Sequence, residues 1–497
     1  MRGPLIAVVL LTFVLPVTPQ SIWDVWQTTW NGDRLFANVS PSTPITFTTS
    51  STAASVDVQI DDNVYFQIMV GHGASLTDSS AKLFDQLKSQ DSRNYWALIK
   101  QLFDPTDGRD SAGLSYLRVP LGASDFSDNL YTFASPTNDD LASFNVNNAP
   151  AYLFSTINDI QSVNPGIKVH LLPWSPPSWM KTSNSMNGGE FIDSFTNIYA
   201  VYLLKALQGF GDKGITAYAV GIQNEPENSD STYPTCKFSS TQEANVGRVL
   251  RSLMDSNGFG STKIIAYEQN WDNSGQHPIQ VLQQATPQFA GASFHCYAGN
   301  VDQQSGFQSA FPWKEVYLTE CTGVFNTDWW SSIKWWMDNL YIGSVNNGAK
   351  AVLMWNIALD GNGRPLLPGT NSCQNPPCRG VVTINGGNYT LNEEYYTMAQ
   401  ASRAITPRDP GGPWGQRIGV SVVGGDAWAP RVTAFVTKRN NPLDWWRYSI
   451  VVLNWRDNAN GTWDPQDVTA SITFRGQQAS FTFPVGVTTL WWYAAPK

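Results

Sequence analysis

The segments GIQNEP (residues 221–226) and YLTECTG (residues 317–323) are short apolar runs, each interrupted by a single glutamate. The glutamates are Glu225 and Glu320. At roughly 30 residues per strand-plus-helix unit, about three such units separate them. Carboxylates at the C-terminal ends of parallel strands are typical of the functional rim of a (β/α)8 barrel. We therefore interpret both segments as barrel strands whose ends meet at one face.

Apolar runs alternate with helix-like patterns from about residue 64 to residue 404. The strand candidates are residues 65–70, 115–120, 168–173, 217–222, 263–267, 291–295, 315–319 and 351–355. Eight repeats of strand and helix predict a closed parallel barrel. On this count Glu225 follows strand four and Glu320 follows strand seven, so both project from the functional rim.

The C-terminal region has a different pattern. After a Pro- and Gly-rich link at residues 406–415, short runs of alternating polarity follow one another to the end of the chain. Residues 45–60 have a similar pattern and are rich in Ser and Thr. Alternation with a period of two predicts antiparallel β-structure at both ends of the chain.

Composition and charge exclude several classes of protein. The chain has 497 residues, of which 42% are hydrophobic, so it is globular and large enough for more than one domain. Its net charge is −9 and no basic cluster is visible, which argues against nucleic acid or an anionic membrane as a partner. We expect no metal site, because no CxxC pair exists and the histidines are dispersed. The histidines are His72, His170, His277 and His295.

The first 20 residues resemble a secretory signal peptide. One arginine precedes an apolar run at residues 5–15, which is too short to span a bilayer. No other segment is long and apolar enough to do so, and we expect a secreted, extracellular protein without membrane insertion. Glycosylation sequons agree with that route. They begin at Asn38, Asn388 and Asn460.

The chain has five cysteines, so at least one is unpaired. Cys373 and Cys378 flank a polar loop, and we predict a local disulfide between them. Cys296 and Cys321 follow two neighbouring strand candidates. A bridge between them and a pair of buried thiols are both compatible with the sequence, and the pairing of Cys236 is equally open.

Longer motifs around the two glutamates resemble glycoside hydrolase family 30. They are YLRVPLGASDFS (116–127), LLPWSPPSWMKTSNSMNGG (171–189), SFHCYAG (293–299) and MWNIAL (354–359). The run NEPENSDSTYPTC (224–236) is most similar to the fungal endo-β-1,6-glucanases of that family. The resemblance covers nearly the whole chain after the leader. It implies a (β/α)8 TIM barrel at residues 63–405 and a side β-sandwich formed by residues 21–62 and 416–497.

The resemblance also implies a retaining glycosidase that needs no cofactor. Glu320 corresponds to the nucleophile, and Glu225 corresponds to the general acid that later acts as the base. An acid of this kind must be protonated before glycosyl transfer, so we expect the pKa of Glu225 to be raised. The implied substrate is a β-glucan, cleaved at β-1,6 linkages. We expect the enzyme to be a monomer.

Further residues correspond to substrate-binding positions of the family. They are Arg118, Asp125, Trp174, Asn224, His295, Tyr297 and Trp355. Asn224 matches the amide that contacts the sugar 2-hydroxyl, and Asp125 matches the acid that binds distant hydroxyls of the same sugar. Each has a structural alternative. Arg118 is also compatible with a barrel salt bridge, the tryptophans with core packing, and His295 with a buried structural histidine.

Other functions remain to be weighed against this one. A β-glucosidase or glucosylceramidase, or a xylan-active enzyme, would use the same chemistry, because specificity lies in rim loops. A sugar-binding protein without catalysis is disfavoured because both glutamates are present. A nucleotide enzyme needs a phosphate loop, and GHGAS at residue 71 lacks the required spacing and lysine. Glu227 and Glu268 are competing carboxylates near strand ends, and we expect Glu227 to turn away from the site.

Overall fold

The computed structural model describes residues 20–49, 54–135, 141–459 and 461–497. Its centre is a closed barrel of eight parallel strands, each hydrogen-bonded to the next along the chain, with the last strand pairing with the first. The barrel strands are Gly73–Ser75, Tyr116–Pro120, Lys168–Leu172, Ala217–Gly221, Lys263–Asn270, Gly291–His295, Glu315–Glu320 and Ala349–Met354. The predicted (β/α)8 fold is confirmed.

The first barrel strand is not the one that the sequence predicted. Residues 65–70 were expected to form it, but the strand Val56–Ile68 belongs to the side sheet and crosses the expected boundary at residue 63. Buried and exposed residues alternate along the first half of Val56–Ile68, as in a strand with one solvent-exposed face, whereas Gly73–Ser75 is buried throughout. Gly73 lies so close to the backbone of Tyr116 that any side chain would collide with it.

Helices connect the barrel strands and cover the barrel. The α-helices of the described ranges are Asp78–Gln90, Ser92–Phe103, Ala151–Val163, Thr196–Asp212, Ser240–Ser256, His277–Ala285, Gln304–Ala310, Trp329–Trp336 and Glu393–Ile405. A π-helix, Met337–Ser344, continues one of them. Capping side chains mark the starts of several helices. For example, Ser239 and Gln242 form a capping box at the start of the helix Ser240–Ser256. No helix within the described ranges is long and apolar enough to cross a membrane.

The side domain is a ten-stranded, largely antiparallel sheet. Its strands are Ser21–Thr29, Ala37–Asn38, Ile45–Thr46, Val56–Ile68, Gln416–Gly424, Pro430–Thr437, Trp446–Asn454, Val468–Phe474, Gln477–Phe483 and Gly486–Ala494. The sheet folds back on itself, because Phe474 contacts Tyr448 and Trp492 although several strands separate them in the sheet order. Both ends of the chain therefore share one hydrophobic core, which confirms the predicted side β-sandwich.

Short strands complete the rim of the barrel. They are Gly323–Val324, Ala358–Leu359, Cys378–Arg379, Val382–Asn385 and Asn388–Leu391. Gly323–Val324 pairs with Cys378–Arg379, which ties the loop after barrel strand seven to the loop after strand eight. The predicted leader lies outside the described residues, as does the sequon at Asn460. Asn38 and Asn388 are exposed, and their glycosylation stays a prediction.

Candidate active site

Glu225 and Glu320 face each other at the C-terminal end of the barrel. Glu320 is the last residue of barrel strand seven, and Glu225 follows strand four, whose last residue is Gly221. Carboxylate oxygens of the two glutamates and one ring nitrogen of His295 lie within 4.8 Å of one another. The two carboxyl groups are therefore as close as those of a retaining glycosidase, which lie about 5–5.5 Å apart.

Two hydrogen-bond donors hold Glu320 in place. The Nη1 of Arg118 donates to Oε2 of Glu320 at 2.6 Å, and the hydroxyl of Tyr297 donates to Oε1 at 2.9 Å. Arg118 is fully buried, and the side chain of Glu320 is 8% exposed. These two hydrogen bonds, one of them charge-assisted, fix the orientation of the carboxylate.

A third carboxylate, Glu268, completes the charge cluster behind the site. It is buried at the end of barrel strand five, where its Oε2 accepts from Arg118 at 3.0 Å and from the hydroxyl of Thr319 at 2.6 Å. Burial alone would raise its pKa, but the charge of Arg118 holds the pKa well below its ordinary value. Arg118 thus spans two carboxylates, and its second Nη also donates to Asn224 Oδ1 at 2.5 Å.

The carboxyl group of Glu225 is bound by His295 and Asn228. Its Oε1 lies 3.1 Å from Nδ1 of His295, and its Oε2 accepts from the Asn228 amide at 2.9 Å. Burial favours a raised pKa, but the hydrogen bond and charge of His295, with the bond from Asn228, hold the pKa of Glu225 below its ordinary value. The expectation of a raised pKa is therefore wrong for the substrate-free site.

His295 carries the positive charge that lowers the pKa of Glu225. Its side chain is fully buried, which disfavours the imidazolium, but the charge of Glu320 and the contacts with Glu225 and Glu268 outweigh burial and raise its pKa to about 9. One proton is therefore held between His295 and Glu225 near neutral pH. A protonated imidazole is a poor metal ligand, so this cluster is better suited to proton transfer than to binding a metal ion.

The backbone is strained at two of the three carboxylates. Glu225 has φ +46° and Glu268 has φ +51°, both in the left-handed region that non-glycine residues seldom adopt. The two are joined directly, since the amide of Glu225 donates to the carbonyl of Glu268 at 2.9 Å. Strain of this kind persists only where the surroundings over-determine the conformation, and it concentrates at functional sites.

Glu225 and Glu320 line a cavity of about 200 Å³, and two tryptophans form one of its walls. Trp174 and Trp355 stack on each other with ring centroids 5.0 Å apart, and Arg118 lies 4.7 Å from the ring of Trp174. Both indoles are almost fully buried by protein but still line the cavity. They are therefore core residues that also line the cavity, so core packing does not exclude a contact with a ligand.

Asp125 lies on the same wall. Its Oδ2 accepts from the hydroxyl of Ser372 at 2.6 Å, whereas its buried Oδ1 has no protein partner. Burial, together with repulsion from Glu320 and Glu225, raises the pKa of Asp125 to about 7. An unsatisfied buried oxygen beside a cavity is suited to bind a hydroxyl group of a ligand.

The sequence-predicted residues gather at one place, but they do not all line the cavity. Those on its wall are Asp125, Trp174, Asn224, Glu225, Tyr297, Glu320 and Trp355. Arg118 and His295 lie behind the wall and contact the carboxylates instead, so the geometry gives them a positioning role rather than the predicted contact with substrate. Glu227 turns away from the cavity and contacts Asn273 and His277.

Sequence reasoning missed several residues of the site. Glu268 was considered only as a competitor, although its place at a strand end signalled a rim residue. Asn228 and Tyr233 lie on the loop after strand four, and the Asn228 amide donates to both Glu225 and the Tyr233 hydroxyl. Thr322 and Ser372 line the cavity from loops with no distinctive pattern, so no sequence signal could have identified them.

The cysteine pairs frame the same rim. A disulfide joins Cys296 to Cys321, the residues that directly follow His295 and Glu320. A second disulfide joins Cys373 to Cys378, and Cys373 lines the cavity. Cys236 is a buried free thiol.

A parallel eight-stranded barrel with two close carboxylates at its C-terminal end is typical of barrel glycoside hydrolases. The model of the glycosyl hydrolase family 30 TIM-barrel domain matches residues 69–306. The endo-1,6-β-D-glucanase of Neurospora crassa is 32% identical over 359 residues, which cover 68% of this chain and 70% of that protein. The chain belongs to glycoside hydrolase family 30.

Further similar proteins support the assignment to this family. The endo-1,6-β-D-glucanase BGN16.3 of Trichoderma harzianum is 30% identical over 70% of this chain and 72% of its own length. The solved structure of the endo-β-1,6-glucanase BT3312 superimposes with a TM-score of 0.79 over 95% of this chain and 99% of that one. Its sequence identity is 24%, so this likeness supports the fold.

Proposed function

We propose that the protein is a secreted, retaining endo-β-1,6-glucanase that uses Glu320 as its nucleophile and Glu225 as its acid and base. The observation that carries the proposal is the approach of the two carboxylates at the mouth of a cavity walled by stacked tryptophans. The separation leaves no room for a water molecule between a sugar and the second carboxylate, as an inverting enzyme would require.

In the first step, an oxygen of Glu320 attacks the anomeric carbon and the glycosidic C–O bond breaks. Arg118 and Tyr297 hold Glu320 in its orientation until the attack, since each donates a hydrogen bond to a different carboxylate oxygen. Tyr297 lines the cavity, so its hydroxyl can contact the sugar ring as charge develops there during the attack. The product of this step is a glycosyl ester of Glu320.

The leaving oxygen takes its proton from Glu225. The proton is held between His295 and Glu225, and transfer from Nδ1 to Oε1 over 3.1 Å creates the neutral acid. In the second step, Glu225 removes a proton from water, and the resulting hydroxide attacks the ester and releases the sugar with its configuration retained. His295 is thus a positioning and proton-sharing group for both steps.

The cavity has room for about one hexose, which we assign to the subsite on the non-reducing side of the scissile bond. Trp174 and Trp355 offer an apolar wall to the ring, and the free Oδ1 of Asp125 is an acceptor for a sugar hydroxyl. Arg118 donates a hydrogen bond to the side-chain carbonyl oxygen of Asn224. This bond orients the Asn224 amide for contact with the sugar 2-hydroxyl.

The β-1,6 linkage is supported by the Neurospora and Trichoderma relatives and by the loop at residues 228–239. A β-1,6 bond includes a rotatable exocyclic carbon, so the leaving sugar can swing away from the plane of the sugar in the cavity. We assign the loop to the leaving-group side, because Asn228 and Tyr233 place it beside the acid Glu225.

A product profile tests the proposal. The purified enzyme should release β-configured gentio-oligosaccharides from pustulan and leave laminarin, xylan and glucosylceramide nearly untouched. Chromatography identifies the products, and proton NMR of the fresh reaction identifies the first anomer. An α-anomer would overturn the retaining mechanism, whereas turnover restricted to xylan or to glucosylceramide would overturn the linkage assignment.

A further inference from the structure

A second cavity adjoins the catalytic one. Its volume is about 310 Å³, and it lies between the loop after barrel strand seven and the helix Trp329–Trp336. Thr322, two residues beyond Glu320, lines both cavities. The catalytic cavity, at about 200 Å³, has room for about one hexose, so the rest of a glucan chain must lie outside it.

The second cavity has the chemistry of a sugar-binding surface. Trp335, which is 41% exposed, and the buried Trp336 contribute aromatic surface. Thr327, Asp328 and Ser331 supply hydroxyl and carboxylate groups along the same cavity. Pyranose rings have apolar faces and polar edges, and an open indole beside such groups matches both.

The walls of this cavity are preformed. Gly323–Val324 pairs with Cys378–Arg379, which fixes the loop that separates the two cavities. Asp328 caps the helix by accepting from the Ser331 amide at 2.8 Å, and Thr327 donates to the carbonyl of Val324 at 2.9 Å. Ordering the protein on binding therefore costs little free energy.

We propose that Trp335 is the platform of a further subsite, which binds a glucose unit of the same glucan chain outside the catalytic cavity. The proposal rests on the proposed function, because it takes the occupant to be a continuation of the polysaccharide substrate. Because Thr322 lines both cavities, a glucan chain that extends out of the catalytic cavity is favoured over an unrelated ligand. The subsite makes Trp335 a specificity residue that favours chains over single glucosides.

The test compares Trp335→Ala with Trp335→Phe and with a control, Trp313→Ala. Trp313 is 69% exposed and lies just before barrel strand seven, at the opposite end of the strand from Glu320. The readout is kcat/KM for gentiotetraose divided by kcat/KM for an aryl β-glucoside. We expect Trp335→Ala to lower this ratio about tenfold, Trp335→Phe to restore most of it, and Trp313→Ala to leave it unchanged.

Several results would overturn the subsite. If Trp335→Ala leaves the ratio unchanged, whether kcat/KM stays constant or falls equally with both substrates, Trp335 has no role in binding the glucan chain. A change in sedimentation mass without a change in the ratio would identify the surface as a contact between two copies of the chain.

Failure of the proposed function has a separate signature, because it appears in the wild-type enzyme. If the wild type cleaves oligosaccharides of another glycan and not gentiotetraose, the β-1,6 assignment fails. The same ratio, measured with the oligosaccharide that the wild type does cleave, then still decides whether Trp335 forms a subsite.

Discussion

At the scale of single residues, the site depends on one buried arginine. Arg118, on barrel strand two, contacts Glu320, Glu268 and Asn224, so its guanidinium binds groups from three other barrel strands or their loops. Its planar fork can satisfy several oxygens in fixed directions, which a lysine could not do. Two carboxylates around one buried cation leave the cluster with an excess of negative charge, and His295 balances it.

The roles proposed for the two glutamates predict different defects in their variants. Glu320→Gln keeps the side-chain volume but removes the proposed nucleophile, so we expect kcat to fall by about 10³-fold or more on every substrate. Glu225→Gln should fail on glucan but form the glycosyl-enzyme with an aryl glycoside whose leaving group needs no proton. Azide should partly rescue Glu225→Ala on that substrate. Burst kinetics and mass spectrometry of the trapped enzyme measure these outcomes, and near-wild-type turnover by Glu320→Gln would contradict the assignment.

The proton shared by Glu225 and His295 predicts the alkaline limb of the pH profile. In the free enzyme the pair keeps its proton up to the raised pKa of His295, about 9, so kcat/KM should fall near that pH. In His295→Gln the proton resides on the carboxyl group alone, whose ordinary pKa is far lower, so the limb should move to lower pH. At pH 8 we expect a loss of about tenfold or more relative to the wild type.

A second histidine provides a matched control for this pH shift. Interactions with Glu227 and Glu243 raise the pKa of His277 to about 9 as well, against the effect of burial, but His277 has no hydrogen bond or ion pair with Glu225 or Glu320. His277→Gln should therefore leave the alkaline limb in place. A limb at the same pH in His295→Gln and the wild type would show that His295 does not share the acid proton.

At the scale of elements, the site is assembled from the ends of barrel strands and held by covalent links between loops. The Cys296–Cys321 disulfide joins the residues after strands six and seven, with a Cα–Cα distance of 5.3 Å. His295 and Glu320 precede these cysteines, so the link limits how far the two strand ends can separate. The Cys373–Cys378 disulfide instead closes a short loop that carries a wall of the cavity.

The two disulfides should differ in their contribution to stability. Loop-closure entropy predicts that replacing Cys296 and Cys321 with serine lowers the free energy of unfolding by about 3.5 kcal/mol, because the cysteines are 25 positions apart in the sequence. The corresponding change at Cys373 and Cys378, five residues apart, should cost about 2 kcal/mol. Denaturant unfolding of both double variants measures the difference, and a larger loss for the shorter loop would contradict the loop-length argument.

At the scale of the whole molecule, the side sheet unites the two ends of the chain and packs on the barrel. The helix Glu393–Ile405 is the main link. The Gln400 amide donates to Thr28 at 3.1 Å, the Thr489 hydroxyl donates to Gln400 at 2.7 Å, and the Ser449 hydroxyl donates to the Ala404 carbonyl at 2.8 Å. All three contacts are buried, so the barrel and the sheet are joined by hydrogen bonds in the interior of the protein.

Removal of the C-terminal tail should therefore prevent folding of the remainder. A chain that ends at residue 415 would leave Val56–Ile68 and Ser21–Thr29 without their strand partners and would expose the apolar face of Glu393–Ile405. We expect this truncated protein to be insoluble, and the full chain to unfold in one transition by calorimetry. A soluble truncated protein with wild-type activity would show that the barrel folds by itself.

The sequence alone determined the architecture and the two central glutamates. The alternation of strands and helices, the change to period-two patterns in the tail, and the position of Glu225 and Glu320 after strands four and seven are all local signals. Local hydrophobic periodicity reports which face of an element is buried, and the end of an apolar run reports where a strand stops. Seven of the eight barrel strands follow from these signals.

Only the tertiary structure decided which side chains meet. The sequence assigned residues 65–70 to the barrel because it could not show that Val56–Ile68 pairs with Gln416–Gly424, some 350 residues later. It could not show that Arg118 reaches Glu268, that Cys296 pairs with Cys321, or that His295 lowers the pKa of Glu225. Each of these depends on distances between atoms from different strands, and barrel closure sets those distances rather than any local pattern.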